Sequence, residues 1–444
     1  MKNKETLKFM EQKHVTIELK TGIWDQFSNL FQRYRNIIQA GAVITDQGLC
    51  SVVNFTTGVL VARACSKSEF GIFILCLTIL RFMTGLQNSL ISIPYTIQYP
   101  RYDYNTARSF FGSTLLHQVF LCIIASLGFF SAAQVASWRN ADEAIVSTLF
   151  MLSIASTAFM SREFIRLVML AELRTWLNLS MSLIANITTM VAIYYIYKTG
   201  NLNSTNAFAI IALCSGLPAL AVIGLFFPKM SFIAKRVLTD FKENFKLGKW
   251  LTARSFANMG AVSIYPIALV SFTGTAEAGI YGACFQLASL LNPVFMGLNS
   301  FLRPKFSHLT VNNPIAVRSI TLKISVILTV FLSILFLFMY LAGDLLMIKL
   351  YGQDYQGHQT ILLICILAVS AAVISGPLSV SIDASKNTQI TFNGRMLGAF
   401  FSLTIGLTCV WKYGVLGAAL GLLASHTISC TYWFIYILRN KPKQ

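Results

Sequence analysis

Ser68-Glu69-Phe70-Gly71-Ile72-Phe73 and, 208 residues later, Ala276-Glu277-Ala278-Gly279-Ile280-Tyr281 are two copies of one pattern, Glu-x-Gly-Ile-aromatic. Each copy leads into a long apolar run, 71–97 and 277–302, and each follows another, 38–62 and 247–272. About 20 apolar residues are what a helix needs to cross a hydrocarbon core of about 30 Å. Working outward, runs at 110–135, 144–168, 175–197 and 206–228 complete the first half, and 318–342, 359–382, 390–411 and 414–438 complete the second. The pattern predicts an all-α polytopic membrane protein with about twelve transmembrane helices. With six crossings per half, equivalent helices run in the same direction. That predicts two bundles related by an axis along the membrane normal.

Composition agrees. Of 444 residues, 55% are hydrophobic and 12% charged, about half the charge of an ordinary soluble domain. The net charge of +18 is distributed in a way that argues against a nucleic-acid partner. With a cytoplasmic N-terminus, about 27 of the 35 Lys and Arg fall on the cytoplasmic side and about 6 outside, the bias that orients membrane proteins. Lys229, Lys235, Arg236, Lys242, Lys246 and Lys249 crowd one loop, suited to anionic lipid. Around them, 229–246 alternates apolar and charged residues at helical spacing, as an interfacial amphipathic helix does. The expected organisation is a cytoplasmic segment 1–36, an N-terminal lobe 37–228, the linker 229–246, a C-terminal lobe 247–438 and a cytoplasmic tail 439–444. Met1 to Arg35 has no apolar core that would make a cleavable signal.

Polar residues inside the runs are the candidate site. A charge at mid-membrane costs at least about 2.5–3.5 kcal/mol, so it should face a cavity or a partner. Asp46 and Asn54 share a face in the first run; Arg81 and Asn88 share one in the second; Arg254 and Asn258 in the seventh; Asn292 and Arg303, with Ser289, in the eighth. At the offset of 208, Asp46 falls opposite Arg254. These runs are the first two of each half, and their stripes predict one shared cavity. Guanidinium groups there suit phosphate or carboxylate; the competing reading pairs Asp46 with Arg81 or Arg254 to fix packing. Arg162 and Arg166, one turn apart near the cytoplasmic end of the fourth run, are placed to receive an entering head group or to snorkel. Arg395 and Asp383 flank the eleventh run with the same two readings.

Chemistry is not visible. No phosphate-binding loop of the Gly-x-x-x-x-Gly-Lys type and no Gly-x-Ser-x-Gly elbow occurs. The nine Cys and five His are dispersed, with no metal-ligand spacing. The expectation is a transporter without cofactor or metal, with Asp46 as the acid available for coupling to H⁺ or Na⁺.

The stretch Val61-Ala62-Arg63, then Ser66-Lys67-Ser68-Glu69-Phe70-Gly71-Ile72-Phe73, resembles the opening of polysaccharide-type flippases of the multidrug/oligosaccharidyl-lipid/polysaccharide exporter superfamily. Glu277-Ala278-Gly279-Ile280-Tyr281-Gly282-Ala283, Asn292-Pro293 and Pro304-Lys305 are similar to that family's second half. The resemblance implies two six-helix lobes in a V, as in MATE-like transporters. It also implies translocation of an undecaprenyl-pyrophosphate-linked oligosaccharide across the cytoplasmic (inner) membrane by alternating access, for O-antigen, capsule or exopolysaccharide. A polysaccharide polymerase and chain-length or export proteins would be its partners, beside the membrane lipids. The rival readings are a cation-coupled multidrug exporter, for which Asp46 would serve, and a membrane glycosyltransferase or polymerase, against which the short outer loops speak.

Overall fold

The computed structural model describes residues 41–42, 45–226, 231–290, 292–312, 314–385 and 387–439, all of it helix and short connections without a strand. Helix α1 covers 45–64. Then come α2 (Lys67–Arg101), α3 (Tyr104–Trp138), α4 (Glu143–Ala171), α5 (Thr175–Lys198) and α6 (Ser204–Phe226). The second half holds α7 (Ala234–Asn258), α8 (Ile264–Phe272), α9 (Thr275–Ala288), α10 (Asn292–Asn312), α11 (Pro314–Tyr351), α12 (Gln359–Ala384), α13 (Thr388–Phe401) and α14 (Leu407–Arg439). The expected N-terminal segment 1–36 lies outside the described residues.

Among the described residues nine helices are long and apolar enough to cross a membrane, against about twelve expected. The difference has local causes. The first run begins outside the described residues. The run 277–302 is two helices, because the chain leaves helical geometry after Ala288. The stretch Thr388–Arg439 counts once, yet 52 residues of helix would reach about 78 Å, far beyond a bilayer core. It folds back at Gly414, whose φ of 54° and ψ of −131° are non-helical. Past that point Ser429 donates to the Gly394 carbonyl and Trp433 to that of Ile390, the register of an antiparallel hairpin.

Lipid is the solvent these helices are built for. Phe120 (65% exposed), Ile327 (66%) and Leu341 (75%) point outward from α3 and α11, a surface water would not tolerate on this scale. Two helices change pitch where proline removes a backbone donor. In α2 the turn Asn88–Ser92 widens to π geometry just before Pro94, so that Ile93 N–H reaches the Asn88 carbonyl. The turn Met259–Ser263, which joins α7 to α8, does the same before Pro266.

The helix expected as a separate linker continues into the seventh span, since α7 runs unbroken from Ala234 to Asn258. It docks on the first half of the chain along its length: Arg236 Nη1 donates to Ser109 Oγ at 2.8 Å, Gln98 Nε2 to Asn244 Oδ1 at 3.0 Å, and Ser89 and Ser255 hydroxyls meet at 2.8 Å. The end of the molecule near these contacts, the basic end, carries Arg101, Arg108, Arg174 and Arg236. The opposite end carries Glu69 and Glu277.

The repeated motif explains that opposite end. Glu69 Oε1 accepts from Ser204 N–H at 3.1 Å, the first residue of α6. Glu277 Oε2 accepts from Val415 N–H at 3.0 Å, where α14 resumes after Gly414. In each half the motif's carboxylate therefore caps the positive end of that half's last helix. The glycines do the other task. Gly71 and Gly279 lie where α2 and α9 cross, so close that a Cβ on Gly71 would overlap the Thr275 carbonyl and one on Gly279 the Lys67 carbonyl. Ser68 and Thr275 hydroxyls join across the crossing at 2.5 Å.

Candidate functional site: a central cavity at Arg81

Behind that crossing lies a cavity of about 390 Å³. Its walls come from α1, α2, α8, α9 and α10, together with the π turn before α8, the first two spans of each half, as the polar stripes require. Asn54, Arg81 and Asn292 line it, with Thr78, Gln286 and Ser289. Phe55, Tyr281 and Phe285 supply apolar wall. Arg81 is exposed into this space and, among the described residues, is the single charged residue lining it. Among the described residues its guanidinium makes no hydrogen bond or ion pair. A mid-membrane cation without a partner is a cost that a ligand anion would offset.

Gln286 was not anticipated. Its Nε2 donates to the carbonyls of Asn54 (3.1 Å) and Phe55 (3.3 Å), tying α9 to α1 across the two halves, while its buried Oε1 has no partner among the described residues. Extending the stripe of Ser289 and Asn292 one turn back would have found it.

The other expected residues go elsewhere. Asp46 is fully buried inside the first half, where it accepts from Asn178 Nδ2 at 3.3 Å and faces Arg166 Nη1 at 3.7 Å. Arg166 also pairs with Glu163 at 2.8 Å. Arg162 is buried one turn away and donates to Asn186 Oδ1 (3.1 Å), Ser215 Oγ (3.4 Å) and Cys50 Sγ (3.5 Å). This corrects two expectations. Asp46 does pair with an arginine, but with Arg166 rather than Arg81. Arg162 and Arg166 are turned inward between α1, α4, α5 and α6, so neither guanidinium is offered to an entering head group. The four charges cancel, which is how a bundle interior tolerates them. Asn88 sits on the π turn of α2 with its buried Oδ1 unpaired, outside the cavity lining. Asn258 is exposed at the end of α7 and also outside it. Arg254 lies on α7, and its side chain is outside the described residues. Arg303 lies in a second cavity of about 460 Å³ with Asp383 and Arg395. No group of His, Cys, Asp and Glu among the described residues could hold a metal ion.

A fold of crossing helices around a central cationic cavity is a transporter architecture, and comparison with known proteins agrees. Residues 39–310, more than half of the chain, match the family described as polysaccharide biosynthesis protein. The chain belongs to that family. No curated protein matches it in sequence. Among solved structures, an inward-facing multidrug resistance MATE family transporter of the MOP superfamily is 12% identical, with a TM-score of 0.71 over 88% of this chain and 94% of that one. The lipid II flippase MurJ in an inward closed conformation is 16% identical, with a TM-score of 0.67 over 91% and 88%. An outward-facing MATE transporter of the same superfamily is 11% identical, with a TM-score of 0.60 over 91% and 94%. The fold is thus MATE-like, and the chain is a multi-pass membrane protein.

Proposed function

We propose that this protein is a flippase that moves an undecaprenyl-pyrophosphate-linked oligosaccharide across the cytoplasmic membrane for surface polysaccharide assembly. The observation that carries this is Arg81, a guanidinium without a partner among the described residues, in a cavity built by both halves. Pyrophosphate is the anion such a lipid carries, and guanidinium binds it through paired hydrogen bonds. The family description points to polysaccharide biosynthesis, and the likeness to a lipid II flippase supports a lipid-linked substrate.

The mechanism is alternating access between two lobes, 37–228 and 247–438. The basic end faces the cytoplasm, as the excess of Lys and Arg favours, with both termini on that side. The Gly71–Gly279 crossing is then the outer closure. Head group and pyrophosphate enter from the cytoplasm, the inner contacts at Ser89–Ser255 and Gln98–Asn244 close behind them, and the outer crossing parts. The outer crossing and these inner contacts are all made in the structure, so the observed state is the closed one between the two openings. Coupling to H⁺ or Na⁺ through Asp46, and export of cationic drugs, both need an acid open to the cavity; Asp46 is instead held by Asn178 and Arg166.

Arg81→Ala tests the proposal. Surface polymer should be lost while the protein level in the membrane holds. Normal polymer in cells carrying Arg81→Ala as the only copy would remove the cavity from the mechanism.

A further inference from the structure

A further cavity with polar lining lies in the second half at the basic end. It is a cup of about 460 Å³ between α7, α10, α12, α13 and α14, within the range of about 300–1,000 Å³ usual for small-molecule sites. Its chemistry is mixed. Arg303, exposed into the cup, makes no hydrogen bond or ion pair among the described residues. Arg395 lies 5.3 Å over the ring of Trp433. Trp433 is itself 2% exposed and held by its Nε1 bond to the Ile390 carbonyl at 3.2 Å, so this wall is fixed before any ligand arrives. Asp383 accepts from Thr391 Oγ1 at 2.7 Å, which orients its carboxylate. Phe392 offers a second aromatic surface.

Two guanidiniums, one oriented carboxylate, hydroxyls and aromatic faces fit one ligand class better than a bare anion or a lipid tail. We infer that this cup is a saccharide subsite for a carboxylate-bearing sugar of the lipid-linked glycan. Arg303 and Arg395 take the sugar carboxylate, Asp383 accepts from ring hydroxyls, and Phe392 flanks the ring. A phosphate alone has no ring hydroxyls to donate to Asp383, whereas a sugar has.

Placement connects the cup to the central cavity. Helix α10 lines both, with Met296 in the central cavity and Arg303 in the cup, roughly 10 Å apart by helical rise. Helix α7 and its continuation line both too, through Ala257 and then Val262. A sugar close to the pyrophosphate would reach the cup while the pyrophosphate occupies Arg81. This inference rests on the flippase reading for its biological meaning, but its binding test does not depend on transport.

The test uses the full-length protein in lipid nanodiscs and saturation-transfer NMR with methyl β-glucuronide, methyl β-glucoside and glycerol phosphate as probes. Saturable glucuronide binding is expected, with the glucoside clearly weaker. Arg303→Gln and Arg395→Gln should each weaken glucuronide about tenfold or more, the loss of a charge-assisted contact. Arg303→Lys should recover part of it, and Ser379→Trp should abolish it by filling the cup. Arg81→Gln should leave it unchanged, so failure of the central site and failure of the cup are read separately. Absence of saturable glucuronide binding, equal binding of glucoside, or no effect of either Gln substitution overturns the inference. Displacement by glycerol phosphate at equal concentration also overturns it, by making the cup a phosphate or lipid head-group site.

Discussion

Gly71→Ala adds one methyl group and should nevertheless stop transport. At the crossing of α2 and α9 the new Cβ would overlap the Thr275 carbonyl oxygen and stand 3.0 Å from Gly279 N. An ordinary approach of carbon to a carbonyl oxygen is about 3.3–3.6 Å, so the helices must part by about 1 Å or more. The obstacle is backbone on both sides, and no rotamer change relieves it. Overpacking of this kind costs about 1–3 kcal/mol, which shifts the balance away from the closed crossing by about 5- to 150-fold. The assay has two readouts. Surface polymer should fall sharply. In a version lacking the nine native cysteines, Thr78→Cys in the cavity wall should become more reactive to a membrane-impermeant maleimide added outside. Gly85→Ala is the control on the same helix, because nothing stands within 4 Å of its added Cβ; it should be neutral or slightly stabilising. Wild-type export together with unchanged Thr78→Cys labelling in Gly71→Ala would refute the outer-closure reasoning.

Three further outcomes follow from the same geometry. Ser68→Cys with Thr275→Cys, replacing hydroxyls 2.5 Å apart, should form a disulfide on oxidation that blocks export and releases it on reduction; export indifferent to oxidant, with the bond shown to form, would contradict a moving crossing. Asp46→Ala takes from Asn178 its carboxylate and from Arg166 one of two, Glu163 remaining, and should cost about 1.5–3 kcal/mol, seen as a fall in melting temperature of the purified protein; an unchanged melting temperature would contradict the network. Cys65, in the connection before α2, has its thiol pushed up to about 12 by burial, with Glu69 adding to the effect. Its maleimide labelling should be slow at pH 7 and still rising at pH 10, whereas a plateau near pH 9 would contradict this environment.

What the sequence made legible depended on which physics wrote the signal. Run boundaries came within a few residues of the helices, as with 175–197 against Thr175–Lys198 and 359–382 against Gln359–Ala384, because bilayer thickness sets the length of an apolar run. The join between linker and seventh span was not legible. A change of surroundings alters which residues a helix carries without ending it, so α7 passes smoothly from amphipathic to apolar. The break between α9 and α10 was equally hidden, since hydropathy does not register a lost backbone hydrogen bond. That Arg81, Asn54 and Asn292 lie on inward helical stripes was legible because a stripe is a local pattern. The partner of Asp46 was missed because Arg166 is 120 positions away in the chain, and only the packing of α1 against α4 brings them together. Arg303 was placed on the right helix and in the wrong cavity, because α10 extends past the central space into the cup. The Glu-x-Gly-Ile-aromatic repeat was visible from the start, but its two tasks needed the structure: the carboxylate caps a helix in its own half, and the glycine meets the other half.

The most direct measurement is of the lipid-linked intermediates in the protein's own host. Deleting the gene, and separately restoring it as wild type or as Arg81→Ala, should give loss of one surface polymer in the deletion and in Arg81→Ala. Its undecaprenyl-linked repeat unit should then accumulate on the cytoplasmic face, with wild type restoring both. Unchanged polymers and intermediates in the deletion strain would contradict the flippase account and turn attention to efflux of small molecules.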